Sequence, residues 1–136
     1  MGLIGLVPAD RGGCGFYRIV QPGERYAEIT GKPVGLLEAG GTLPTLHQWR
    51  AIQNQHDIDF ILIQRPFESF QREYWLSFKK AMPDVRLVID FDDLLWNPDR
   101  HSAFKPTPEM LHNLDTVTKI CDRITVSTKP MQDAIW

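Results

Sequence analysis

The sequence predicts an α/β fold, a Rossmann-like three-layer sandwich built on a mostly parallel sheet of about five strands. Three observations carry this. Short apolar runs rich in β-branched residues alternate with longer segments of helical period along the whole chain. Single strands separated by helices are the order of βαβ units, whose strands lie parallel. The chain is 136 residues long, which bounds it to a single Rossmann-like domain over 1–136 with one hydrophobic core.

Gly2 to Val7 (GLIGLV) reads as the first strand and opens into a glycine-rich turn over 8–15. Phe16 to Thr30 has helical character, weakened by Pro22 and Gly23. Lys32 to Leu37 (KPVGLL) is the second strand, followed by a loop over 38–44. Thr45 is an N-cap for a helix carrying Leu46, Trp49 and Ile52 at a three-residue step. Ile58 to Ile63 (IDFILI) is the third strand, stopped by Pro66. Ser69 is the expected cap of a helix presenting Phe70, Tyr74, Phe78 and Met82 on one face, closed by Pro83. Val85 to Asp90 (VRLVID) is the fourth strand, and a proline-containing loop spans 96–106. Thr107 followed by Pro108 marks a helix start, with Met110, Leu114, Val117 and Cys121 on one face. Arg123 to Val126 (RITV) is the fifth strand, and Ser127 or Thr128 caps a closing helix.

Composition excludes several classes. Apolar residues make up 43% and charged residues 24%, as expected of a chain with a packed core and not of a disordered one. Lys and Arg number 15 against 17 Asp and Glu, a formal charge of -2 without blocks of one sign, so binding to nucleic acid by bulk charge is not expected. No run approaches the roughly 20 apolar residues of a membrane span, and the start has no basic leader region. Cys14 and Cys121 are far apart and lack zinc spacing, which suggests a reducing, cytoplasmic setting. The histidines, His47, His56, His101 and His112, share no ligand spacing, and no metal is expected.

In doubly wound sheets, ligands bind beyond the carboxyl ends of the strands. Here those ends deliver residues 8–15, Gln64-Arg65-Pro66, Asp90 to Asp93, and Ser127-Thr128-Lys129. Gly12, Gly13 and Gly15 permit close backbone approach, and N–H groups at the following helix start suit a phosphate, although neither GxGxxG nor a P-loop is present. Arg11 and Arg18 flank that turn, and Arg65 offers a bidentate fork to a phosphate or carboxylate. Cys14 fits as a small residue in the tight turn. Asp90, Asp92 and Asp93 put three carboxylates within four residues, where they repel one another unless solvent, a metal or ligand hydroxyls intervene. Asp92 or Asp93 can instead simply cap the following turn.

The succession PADRGGCGFYRIVQP, a strand ending in QRP, VIDFDDLLWN and CDRITVSTKPM resembles the N-terminal half of GT-B glycosyltransferases, of the family-4 type and the kind encoded by bacteriophages. The resemblance spans nearly the whole chain. It implies transfer of a sugar from a nucleotide-sugar to a hydroxyl of a glycan or protein acceptor, without a metal, in the host cytoplasm if phage-encoded. Gly12, Gly13 and Gly15 would border the cleft near the donor phosphate. Asp92 and Asp93 stand where many relatives carry a His-Asp pair and are the catalytic candidates. Arg18, Arg65, Asp90, Ser127 and Thr128 would bind substrate, with Ser127 and Thr128 closing the cleft. The family's donor-binding half is absent after Trp136, so the expectation is a domain completed by a missing C-terminal half or a partner chain, with little transfer activity alone.

Two other classes remain open at the level of sequence. One is a Rossmann-like binding or interaction protein without catalysis. The other is a magnesium-dependent phosphatase resembling the haloacid-dehalogenase type, with Asp90 as nucleophile. Asp93-Leu94 in place of the threonine expected after the second acid, and the short remaining chain, count against it.

Overall fold

A β-strand buried on both faces must pair its backbone on either side and present apolar side chains to two layers. In the computed structural model, which describes residues 2–10, 12–37, 43–92 and 104–135, the three central apolar runs do this, and those at 34–36 and 123–126 form the sheet's edges. Strand β1 (Leu3–Val7) leads to a continuous helical passage: α1 (Gly13–Gly15), a π-helical turn (Phe16–Val20) and α2 (Gln21–Thr30). Then come β2 (Val34–Leu36), α3 (Leu46–Gln55), β3 (Ile58–Gln64), α4 (Ser69–Ala81), β4 (Arg86–Phe91), α5 (Pro108–Ile120), β5 (Arg123–Val126) and α6 (Lys129–Ile135).

The five strands form one parallel sheet in the order β2-β1-β3-β4-β5. Ile4 lies beside Val34, Gly5 beside Ile61, Ile63 beside Ile89 and Asp90 beside Thr125. The chain steps from β1 outward to β2, then crosses back to place β3 on the other side of β1. This is the flavodoxin-type order, and its reversal of direction lies between β1 and β3.

Strand alternation divides the core in two. Ile61, Ile63, Leu87, Ile89 and Phe91 pack with Trp49 of α3, Trp75 and Phe78 of α4, and Leu114 and Val117 of α5. Ile4 and Leu6 pack on the opposite face with Ile19, Val34, Phe60 and Leu62. The chain is therefore a Rossmann-like α/β domain of three layers. Tyr74 ties the first layer together: it accepts from Trp49 Nε1 and donates to the Pro44 carbonyl at 2.6 Å. Burial pushes its phenol pKa up to about 12, against a smaller opposing effect of the Trp49 bond.

Thr45 and Thr107 cap their helices as the sequence predicts, each within a capping box, and Pro108 opens α5. The α4 cap is Glu68, one residue before the expected Ser69. Ser69 Oγ instead donates to Glu109 and accepts from Asn113 Nδ2, joining α4 to α5. The second strand is shorter than the KPVGLL run because only Val34–Leu36 pairs with β1. Pairing also moves the fourth strand on by one residue, to Phe91 opposite Val126.

The passage over 13–30 shows why Pro22 and Gly23 do not break it. Pro22 has no N–H to donate, and the turn before it is widened so that Gln21 N–H reaches Phe16 O, five residues back. Gly23 faces β1, where a Cβ would lie 2.3 Å from Leu6 Cδ1, so its missing side chain lets helix and sheet approach. Most of the loop expected over 96–106 lies outside the described residues.

Candidate functional site

Parallel strands deliver all their carboxyl ends to one edge of the sheet, and there the four stretches singled out in the sequence meet. Two polar networks lie side by side. In the first, Asp90 at the end of β4 is 4% exposed. It accepts from Arg18 Nε at 2.8 Å and Arg18 NH2 at 2.6 Å, a two-pronged ion pair reaching from the helical passage. Thr125 Oγ1 of β5 donates to the same carboxylate at 2.8 Å. With both oxygens so engaged, Asp90 is a poor nucleophile, which weighs further against phosphatase chemistry.

The second network centres on Arg65, immediately after β3. Its NH2 donates to Asp10 Oδ2 at 3.1 Å, and its Nε lies 3.5 Å from Asp92 Oδ1. Its backbone N–H donates to Asp90 O at 3.3 Å, which locks the two strand ends together. The carboxylates of Asp90 and Asp92 thus face different arginines, and this relieves the repulsion that the sequence implied.

Arg65 holds φ at 46°, the left-handed region that non-glycine residues avoid, and it does so just before Pro66. Such a conformation costs about 1–3 kcal/mol and concentrates at functional positions. Its neighbour Gln64 ends the strand on the face of Leu62, at 1% exposure. Gln64 Oε1 accepts from Ala9 N–H at 3.0 Å, which fixes which way the amide lies, and Nε2 then has no acceptor. Arg65 Nε and Asp92 Oδ1 have no closer hydrogen-bond partner than each other, as an ion pair at 3.5 Å. Buried donors left unpaired cost about 1–3 kcal/mol each.

Around the glycine turn, Gly12 N–H and Gly15 N–H both donate to Asp10 Oδ1, at 2.8 and 3.3 Å. The groups expected to cradle a phosphate therefore hold a carboxylate of the chain itself. At position 15 only glycine fits, since a Cβ would lie 1.9 Å from the Asp10 carbonyl oxygen. Gly13 faces open space. Cys14 is exposed, and the nearby Asp92 carboxylate favours its protonated form, which pushes the thiol pKa above its ordinary value. Position in a tight turn does not make this thiol reactive.

The structure brings Gly12, Gly15, Arg65 and Asp92 into one network and joins Arg18 to Asp90 beside it. Ser127 Oγ touches the same edge through the Asp92 carbonyl, at 3.3 Å. Thr128 serves α6, accepting from Met131 N–H at 3.4 Å. Asp93, Arg11 and His101 lie outside the described residues, and His47, His56 and His112 are exposed. Sequence reasoning did not single out Gln64, Asp10 or Thr125 as site residues. The available signal for Gln64 was a polar residue continuing a strand on a face otherwise apolar. Among the described residues no three His, Cys, Asp or Glu side chains gather as a metal would need, and no helix is long and apolar enough to cross a membrane.

No protein-family model matches this chain, and no curated protein matches it. Among solved structures it is similar to a response regulator from Thermotoga maritima, at 9% identity and a TM-score of 0.46, over 99% of this chain and 92% of that one. The resemblance to the N-terminal half of a GT-B glycosyltransferase is therefore corrected: no family model and no curated relative supports it. Glycine turns and polar residues recur at strand ends throughout doubly wound sheets, so a matching succession of such motifs reflects shared architecture before shared chemistry.

Proposed function

We propose that this domain acts by binding, without catalysis of its own, and that it takes a small anionic ligand at the carboxyl edge of the sheet, between the turns that follow β1 and β3. The observation that carries the reading is the pair Gln64-Arg65. At the point where strand order reverses, the chain holds one residue in a strained conformation and leaves a buried donor, Gln64 Nε2, without an acceptor. An anionic oxygen supplies that acceptor and a further partner for the Arg65 guanidinium. The complete engagement of Asp90 supports recognition over turnover.

The test is a titration of isotope-labelled protein with inorganic phosphate and with pyrophosphate, followed by amide and side-chain N–H resonances. The expected result is saturable movement of the Gln64 side-chain NH2 and Arg65 Nε–H signals together with Gly12 and Gly15. Small, unsaturating shifts spread over surface lysines would refute the reading.

A further inference from the structure

The geometry points to Asp10 as a resident anion that fills the ligand site of the unliganded domain, and we propose that a ligand binds by displacing it. The inference rests on the anion-binding reading above and adds its regulation.

Asp10 makes the contacts an incoming anion would make. Its Oδ1 receives Gly12 N–H and Gly15 N–H, and its Oδ2 receives Arg65 NH2. A carboxylate tethered to its own backbone covers these three donors and no more. Gln64 Nε2, in a side chain 1% exposed whose Oε1 is held by Ala9 N–H, stays unpaired, while Arg65 Nε faces Asp92 Oδ1 at 3.5 Å. This orphaned amide is evidence independent of the glycine turn that the site expects a larger acceptor. A phosphate group has more oxygens and no tether, and it can meet the same three donors with an oxygen to spare for the Gln64 amide.

Departure of Asp10 is structurally cheap. Its side chain is 45% exposed in the ion pair with Arg65, so rotation carries the carboxylate into water without opening the core. The turn it leaves is held by other contacts: Phe16 N–H donates to Gly12 O at 2.9 Å and Ala9 N–H to Gln64. Exchange also replaces one anion beside Arg65 with another. While Asp10 remains, Asp10 and Asp92 outnumber that arginine and repel an approaching anion, so the resident carboxylate sets a threshold concentration for binding.

The experiment measures phosphate affinity of the full chain, by the resonance titration above, for the wild type, Asp10→Ala and Asp10→Asn. Alanine empties the site, whereas asparagine keeps an oxygen for Gly12 and Gly15 and removes the charge, so it also serves if the alanine variant folds poorly. We expect Asp10→Ala to bind phosphate at least about tenfold more tightly than the wild type, with Asp10→Asn between them. Measurable binding by the wild type that is equal or weaker in both variants overturns displacement and leaves the site reading standing. Absence of phosphate and pyrophosphate binding in all three proteins overturns the site reading, and this inference with it.

Discussion

Removal of Arg18 should destabilise the domain more than removal of its partner Asp90, and the asymmetry follows from exposure. The side chains are 27% and 6% exposed, so the arginine reaches water and the carboxylate does not. Arg18→Ala strips two charge-assisted hydrogen bonds from Asp90 and leaves the charge with Thr125 Oγ1 alone. Breaking a buried pair from this side costs about 3–5 kcal/mol, and partial access of the site to solvent places the expectation near the lower end. Asp90→Ala removes the buried charge and frees Arg18 to extend into solvent, at a cost of about 1–2 kcal/mol in lost hydrogen bonding. The double variant should then be more stable than Arg18→Ala alone, because it deletes the stranded carboxylate. Against a total stability of roughly 5–15 kcal/mol these differences are large. Urea unfolding followed by tryptophan emission reads them directly, since Trp49 and Trp75 are 1% and 0% exposed and move into water on unfolding. Arg18→Ala within about 1 kcal/mol of wild type, or a double variant as unstable as the sum of the single ones, would refute the reasoning. It would also release Arg18 to serve the ligand, a role the ion pair now withholds from it.

Three further outcomes follow from the same geometry. Arg65→Gly should exceed Arg65→Ala in stability by about 1 kcal/mol in the same denaturation assay, because both lose the guanidinium but only alanine keeps a Cβ at φ 46°. Tyr74→Phe should cost about 1–3 kcal/mol by stranding Trp49 Nε1 and the Pro44 carbonyl. The raised phenol pKa, about 12 against 10.0, means that wild-type stability from this group is intact below pH 10 and lost by about pH 12, an alkaline slope that the phenylalanine variant should lack in thermal melts. Asp92→Asn should speed alkylation of Cys14 by iodoacetamide severalfold near pH 8, since it removes the negative charge that holds the thiol protonated; an unchanged rate would mean the thiol does not sense Asp92.

The parts of the fold legible in the sequence are those set by local chemistry. IDFILI forms a strand because β-branched residues suit a pleat buried on both faces, RITV forms one as a half-buried edge, and Thr45 and Thr107 cap helices with contacts three residues away. Glu68 was missed because the Ser69 hydroxyl is as good a cap in isolation, and its choice of Glu109 and Asn113 depends on a helix 40 residues on. Strand order was not legible either. β1 takes β2 on one side and β3 on the other, and both are parallel apolar strands, so the decision lies in which helices cover which face.

The candidate site divides along the same line between local and distant partners. Strand ends and turn glycines pointed to one edge of the sheet, and the four stretches do meet there, because glycine, acid and base collect where a buried strand must stop. Charge pairing across that edge was invisible: Arg18 meets Asp90 over a separation of 72 residues, and Arg65 meets Asp10 over 55. Read along the chain, Asp90 and Asp92 are crowded acids that ask for a metal or a ligand. In the folded domain each faces its own arginine, Asp92 Oδ1 lying 3.5 Å from Arg65 Nε, and the buried donor left over at this edge is the Gln64 amide. That donor, and not the acids, is what the proposed anion would satisfy, and of the carboxylates around Arg65 the more exposed is Asp10, at 45% against 10% for Asp92.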